Sequence, residues 1–164
     1  ISLGDKGLGT GFPIPSMVVD HWYMGGQLSP ELIEARDEYA RALGHARSAR
    51  GKAVRGQDYL HRVIGRLEFG IHYLDTIDTV KRAGQAHKDG DRATAVELLA
   101  RAVELAALTV SDYAGVTIDG TDLGTLAQLN EDFHRRLARF HQAVRTGKKW
   151  TQQTEVADSG LLLG

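Results

Sequence analysis

Cysteine is absent from the 164 residues, which excludes disulfide frameworks, thiolate metal sites and cysteine nucleophiles. Its absence does not assign a compartment. No apolar run approaches the roughly 20 residues that span a bilayer, and no signal-peptide pattern is visible. Charge of one sign is also missing: 20 Lys and Arg face 21 Asp and Glu, a net charge of −1. The two signs are mixed along the chain, so binding through phosphate neutralisation finds little support. Neither nucleic acid nor a membrane is expected as a partner, and no cofactor is expected. Ile1 and the apolar run Leu161-Leu162-Leu163 close to Gly164 make both ends read as cuts in a longer polypeptide.

What remains is ordinary for a globular protein, with 42% hydrophobic and 25% charged residues. This length supports one domain, and the pattern divides it in three. Residues 1–28 hold Gly4, Gly7, Gly9, Gly11, Gly25 and Gly26 with Pro13 and Pro15, a density that opposes helix. Their apolar residues, among them Phe12, Ile14, Met17, Trp22 and Tyr23, are too many for a free linker. An extended arm packing on a neighbouring domain or chain is expected, with Met17-Val18-Val19 as a short strand. Residues 29–147 carry four helical patterns, and residues 148–164 read as a polar tail with an apolar end.

The first helix opens at Ser29, a good N-cap, with Pro30 at the first helical position and Glu31 and Glu34 near the positive end of the dipole. The second spans about 57 to 87 and is apolar on two faces. Leu60, Ile64, Leu67, Ile71, Leu74 and Asp78 line one, and Tyr59, Val63, Phe69, Tyr73, Ile77 and Val80 the other. A helix apolar on two faces has partners on both, so it is central. Gly65 and Gly70 within it imply close approach of a neighbouring backbone. Asp91 caps a third helix to about 113, antiparallel to the second across a short turn. Thr121 or Asp122 caps a fourth, whose stripe is Leu126, Leu129, Phe133, Leu137, Phe140 and Val144, and Gly147 ends it. The fold expected is all-α, an antiparallel bundle of about four helices behind an irregular Gly/Pro-rich N-terminal arm.

No self-sufficient catalytic motif is present, so no catalytic residue is assigned. Glu131 and His134 form a Glu-x-x-His pair, the ligand spacing of di-iron helical bundles. A second such pair is missing, and both residues lie mostly off the fourth helix's stripe, so surface positions are the simpler reading. A ferritin-like metal-binding bundle is the second alternative on that ground. Gly4 to Gly11 resembles a phosphate loop but has Thr10 where the lysine belongs, and Pro13 and Pro15 block the following helix. His61 and His72 lie three turns apart on the central helix and are interface candidates, as are Trp22 and Tyr23.

Two stretches, Trp22 to Gly26 followed by Leu28-Ser29-Pro30-Glu31-Leu32, and Asp58 to Tyr73, together resemble the C-terminal helical region of large bacterial glycoside hydrolases with a TIM-barrel catalytic domain. The likeness spans roughly residues 22 to 145. It implies a non-catalytic accessory domain that buttresses the barrel, whose acids lie outside this chain. It implies the catalytic domain or a second chain as partner, carbohydrate at the interface near Trp22 and Tyr23, and a periplasmic or secreted location. The alternative is a protein–protein interaction or oligomerisation bundle.

Overall fold

Ser29 starts the first long helix as its residue type requires: its Oγ accepts from the Leu32 amide at 3.4 Å, and Pro30 follows with no amide to satisfy. A computed structural model describes residues 13–150. A 3-10 turn, Pro15–Met17, leads into the short helix α1, Asp20–Met24. Three long helices follow: α2, Pro30–Lys52; α3, Gln57–Lys88; and α4, Arg92–Ala114. A last long helix is continuous through α5, Gly120–Gln128, a π-helical stretch, Leu129–Arg135, and α6, Arg136–Thr146. The fold is therefore an all-α bundle of four long helices and one short one, with no strand among the described residues. The Gly4–Gly11 run and the tail from 151 onward lie outside the described residues.

α3 is central. Arg36 and Arg47 of α2 reach Asp75 and Glu68 of α3, so that pair runs antiparallel, and His72 of α3 meets Asp112 of α4 in the same sense. One core joins α1, α3, α4 and the last helix, with Tyr73, Leu74, Ile77, Leu99, Phe133 and Phe140 almost wholly buried. Tyr73 stacks on Phe133 with ring centroids 4.6 Å apart, and its hydroxyl donates to the Pro13 carbonyl. α2 is the outer helix. It buries only Leu43 and Ala46, in a smaller cluster with Ile64.

One correction concerns the N-terminal arm. Met17-Val18-Val19 forms no strand: Met17 closes the 3-10 turn and the two valines run into α1, both buried. Residues 13–28 pack as a clasp on this chain's own helices. Its bulky apolar residues enter a helical turn, with Val18, Val19 and Trp22 in the main core. The clasp is held by Asp78, an acid on the expected apolar seam of α3. Its carboxylate accepts from the buried Leu28 amide at 3.0 Å and from Arg82 at 2.9 Å.

The helix glycines also differ from expectation. A β-carbon at Gly65 would stand 2.4 Å from the Val116 side chain, and one at Gly70 2.9 Å from the Tyr39 ring, so side chains fill those notches. Backbone approaches instead at Gly84, where a β-carbon would meet the Trp22 carbonyl oxygen at 1.9 Å. The fourth helix is capped two residues before Thr121 and three before Asp122, the caps expected. Asp119 is the N-cap, and its carboxylate accepts from the amides of Thr121 and Asp122. The stripe Leu129, Phe133, Leu137 advances by fours, which would drift around an α-helix; the wider π winding keeps Leu129 and Phe133 buried together.

Candidate functional site

The end of the bundle where α2 stops and α3 starts is built from local chemistry. Gly56 takes a left-handed conformation, φ +77°, that turns the chain back. The Gln57 side chain then donates to the carbonyls of Arg50 and Ala53, closing the C-terminus of α2. The α4–α5 connection lies at the same end, because α4 runs antiparallel to α3. Val116 plugs the notch at Gly65 and is buried. Asp122 fixes the rest of that loop, accepting from the Ile118 amide at 2.8 Å and from the Tyr113 hydroxyl at 3.0 Å. Those hydrogen bonds hold the Asp122 carboxyl below its ordinary range.

Between the two turns opens a cleft of about 380 Å³. Asp58, His61 and Arg62 of α3 form one wall, and the loop from Gly115 to Ile118 forms the other. Ile118 of that lining is more than half exposed, and the elements meeting at this end also carry exposed Val54 in the α2–α3 turn, Tyr59 in the first turn of α3 and Leu123 in the first turn of α5. The hairpin side of this end is cationic. Between Arg41 and Arg66 the chain has seven Lys and Arg and one acid, Asp58. Arg50, Lys52, Arg55 and Arg62 form no ion pair among the described residues.

The four interface candidates do not meet in one place. His61 lines the cleft. His72, three turns further along α3, holds its Nδ1 2.5 Å from an Asp112 oxygen and is half-buried. Burial pushes the Asp112 carboxyl up, against the pull of that hydrogen bond. Trp22 and Tyr23 lie at the opposite end. Trp22 is a core residue, edge-on to Phe140 at 5.4 Å, whereas Tyr23 is 57% exposed. Glu131 pairs with Arg135 at 2.7 Å, and burial, with Arg135 beside it, lowers the pKa of His134. Among the described residues no three His, Asp or Glu side chains gather as a metal site would need, and no helix is long and apolar enough to cross a membrane.

Sequence reasoning passed over Asp58, Tyr59 and Arg62 as parts of a site. A local tally of charge would have marked the hairpin, because the chain-wide balance conceals it. A second overlooked residue is His21 of α1. It is buried, neither ring nitrogen has a hydrogen-bond partner among the described residues, and burial together with Lys81 lowers its pKa to about 4 against the weaker opposing pull of Asp20. No protein-family model, characterised protein or solved structure matches the chain.

Proposed function

We propose that this bundle is a non-catalytic accessory domain of a larger carbohydrate-processing enzyme, and that it works by buttressing the catalytic domain. The observation that carries the reading is that Val54, Tyr59, Ile118 and Leu123, all exposed, lie on the turns and first helical turns that meet at one end of the bundle. Apolar residues clustered on a rim of polar ones are what a docking face presents. The carbohydrate assignment rests on the glycoside hydrolase likeness of Trp22 to Leu32 and Asp58 to Tyr73. The chemistry belongs to the partner domain in this reading, and the bundle contributes one edge of the junction.

The test is the intact mass of the native polypeptide, with identification of anything that copurifies in stoichiometric amount. A catalytic domain of barrel size, about 250 residues, joined to or bound by the bundle agrees with the reading. A native protein made only of copies of this chain contradicts it and favours an oligomerisation bundle.

A further inference from the structure

We propose that residues 13–28 form a proton-gated latch: protonation of His21 lifts this clasp off α3 while the four long helices stay folded. The latch lies at the opposite end of the bundle from the docking face and is independent of the carbohydrate reading.

The clasp buries Val18, Val19, His21, Trp22, Gly25 and Leu28. His21 is the one ionisable side chain in that row, and it stands between two apolar anchors, Val19 and Trp22. It is 9% exposed, and neither ring nitrogen has a hydrogen-bond partner among the described residues. A neutral ring in that position already bears a desolvation cost, and a charged one without a counter-ion bears far more. The Trp22 carbonyl is pressed on Gly84, so α1 has no room to settle closer to α3. A proton on the ring is accommodated by α1 moving away.

The surrounding charges favour that outcome. α3 carries Lys81, whose charge opposes a proton on His21, and α1 carries exposed Asp20, which favours it more weakly. Asp78 is occupied by Arg82 and the Leu28 amide, Lys88 donates to the Met24 carbonyl at 2.9 Å, and the His87 ring lies 5.0 Å from that of Trp22. α6 meets α1 at Phe140, which Arg139 and His141 flank, and the π-helical stretch beside the 3-10 turn carries Glu131 paired with Arg135, Asp132 and His134.

The clasp's polar ties to α3 are single hydrogen bonds: Tyr73 to the Pro13 carbonyl, Lys88 to the Met24 carbonyl, and the Leu28 amide to Asp78. None of them joins two long helices, which keep their own links through Arg36 and Asp75, Arg47 and Glu68, and His72 and Asp112. Local opening of the clasp therefore leaves those links in place. Burial first and Lys81 second hold the closed-state pKa of His21 at about 4, whereas a solvated histidine titrates near about 6.5. The opening constant accordingly rises about tenfold per pH unit as pH falls through that window, and levels off below it.

The test is hydrogen exchange of the 164-residue chain, corrected for intrinsic rates, at about pH 7 and about pH 4.5 in a series of low urea concentrations. The amides of Trp22, Gly25 and Leu28, bonded to Val19, His21 and Asp78, report on the clasp. Their protection is expected to fall at least about tenfold at the lower pH, through an opening nearly insensitive to urea. The α3 amides from Tyr73 to Val80 are expected to exchange through urea-sensitive unfolding of the whole bundle. His21→Leu should abolish the pH dependence at the clasp, and His87→Gln should keep it. Lys81→Met, which removes the opposing cation, should shrink it and serves if His21→Leu does not fold. Clasp protection that does not change with pH overturns the latch. An undiminished fall in His21→Leu or Lys81→Met overturns it too, as does loss of the pH dependence in His87→Gln. Exchange of clasp and α3 amides through one common urea-sensitive step also overturns it.

Discussion

The main-chain carbonyl of Trp22 lies directly on Gly84, in the space a β-carbon would take, 1.9 Å from where that atom would stand. This contact joins the N-terminal clasp to the central helix. It also explains a glycine in a helix interior, where glycine ordinarily costs about 1 kcal/mol relative to alanine.

Gly84→Ala should therefore destabilise the protein by about 2–3 kcal/mol, because the clash is with backbone and cannot be relieved by a rotamer. Gly44→Ala is the contrasting case. Its β-carbon would meet nothing within 4 Å among the described residues, so the substitution should stabilise by about 0.5–1 kcal/mol. Urea unfolding of both variants checks the opposite signs.

Acid should loosen the same clasp through His21. The residue is neutral in the fold with its pKa lowered to about 4, against an ordinary value of 6.5. The unfolded chain therefore takes up the proton first. Stability is lost as the pH falls from about 6.5 to about 4, and the loss is constant below that. The full effect is about 2–3 kcal/mol, allowing for some solvent screening. His21→Leu should flatten this segment of the stability–pH curve, measured by denaturant unfolding across the range.

Asp78 offers a test of the clasp from the other side. Asp78→Ala leaves the buried Leu28 amide without its acceptor and frees Arg82, at a cost of about 1–3 kcal/mol. Hydrogen exchange should report the Leu28 amide among those most accelerated.

The long helices were legible because their signals are local. Ser29 with Pro30, Asp91, and Gly147 mark ends that the structure reproduces, with Asp91 accepting from the Thr94 amide at 3.1 Å. The two-faced pattern of α3 likewise identified the central helix. What was not legible depended on contacts distant in sequence. Asp78 sits on an apolar seam because its partner, Leu28, is 50 residues away. Val18 and Val19 look like strand residues until the core they enter is known. Asp119 was missed because Thr121 and Asp122, both plausible caps, follow it closely; Asp122 is occupied with Ile118 and Tyr113 instead. The cleft divided in the same way. His61 was named from its helix position, whereas the loop opposite it is brought there by Val116 entering the Gly65 notch.

Asp119→Ala removes a carboxylate that accepts from two amides at the start of α5. The expected loss is about 1 kcal/mol. The loop forming the far wall of the cleft should fray with it. Thermal unfolding gives the first effect, and faster exchange at Thr121 and Asp122 gives the second.

The central functional claim is that the end of the bundle around Val54, Tyr59, Ile118 and Leu123 is a docking face. Hydrogen exchange over residues 53–62 and 115–123, compared between the native polypeptide and the separate 164-residue chain, tests it most directly. The account predicts exchange slower by about tenfold or more at this end in the native protein, with the core of α3 unchanged. Identical exchange at this end in the two samples would contradict it.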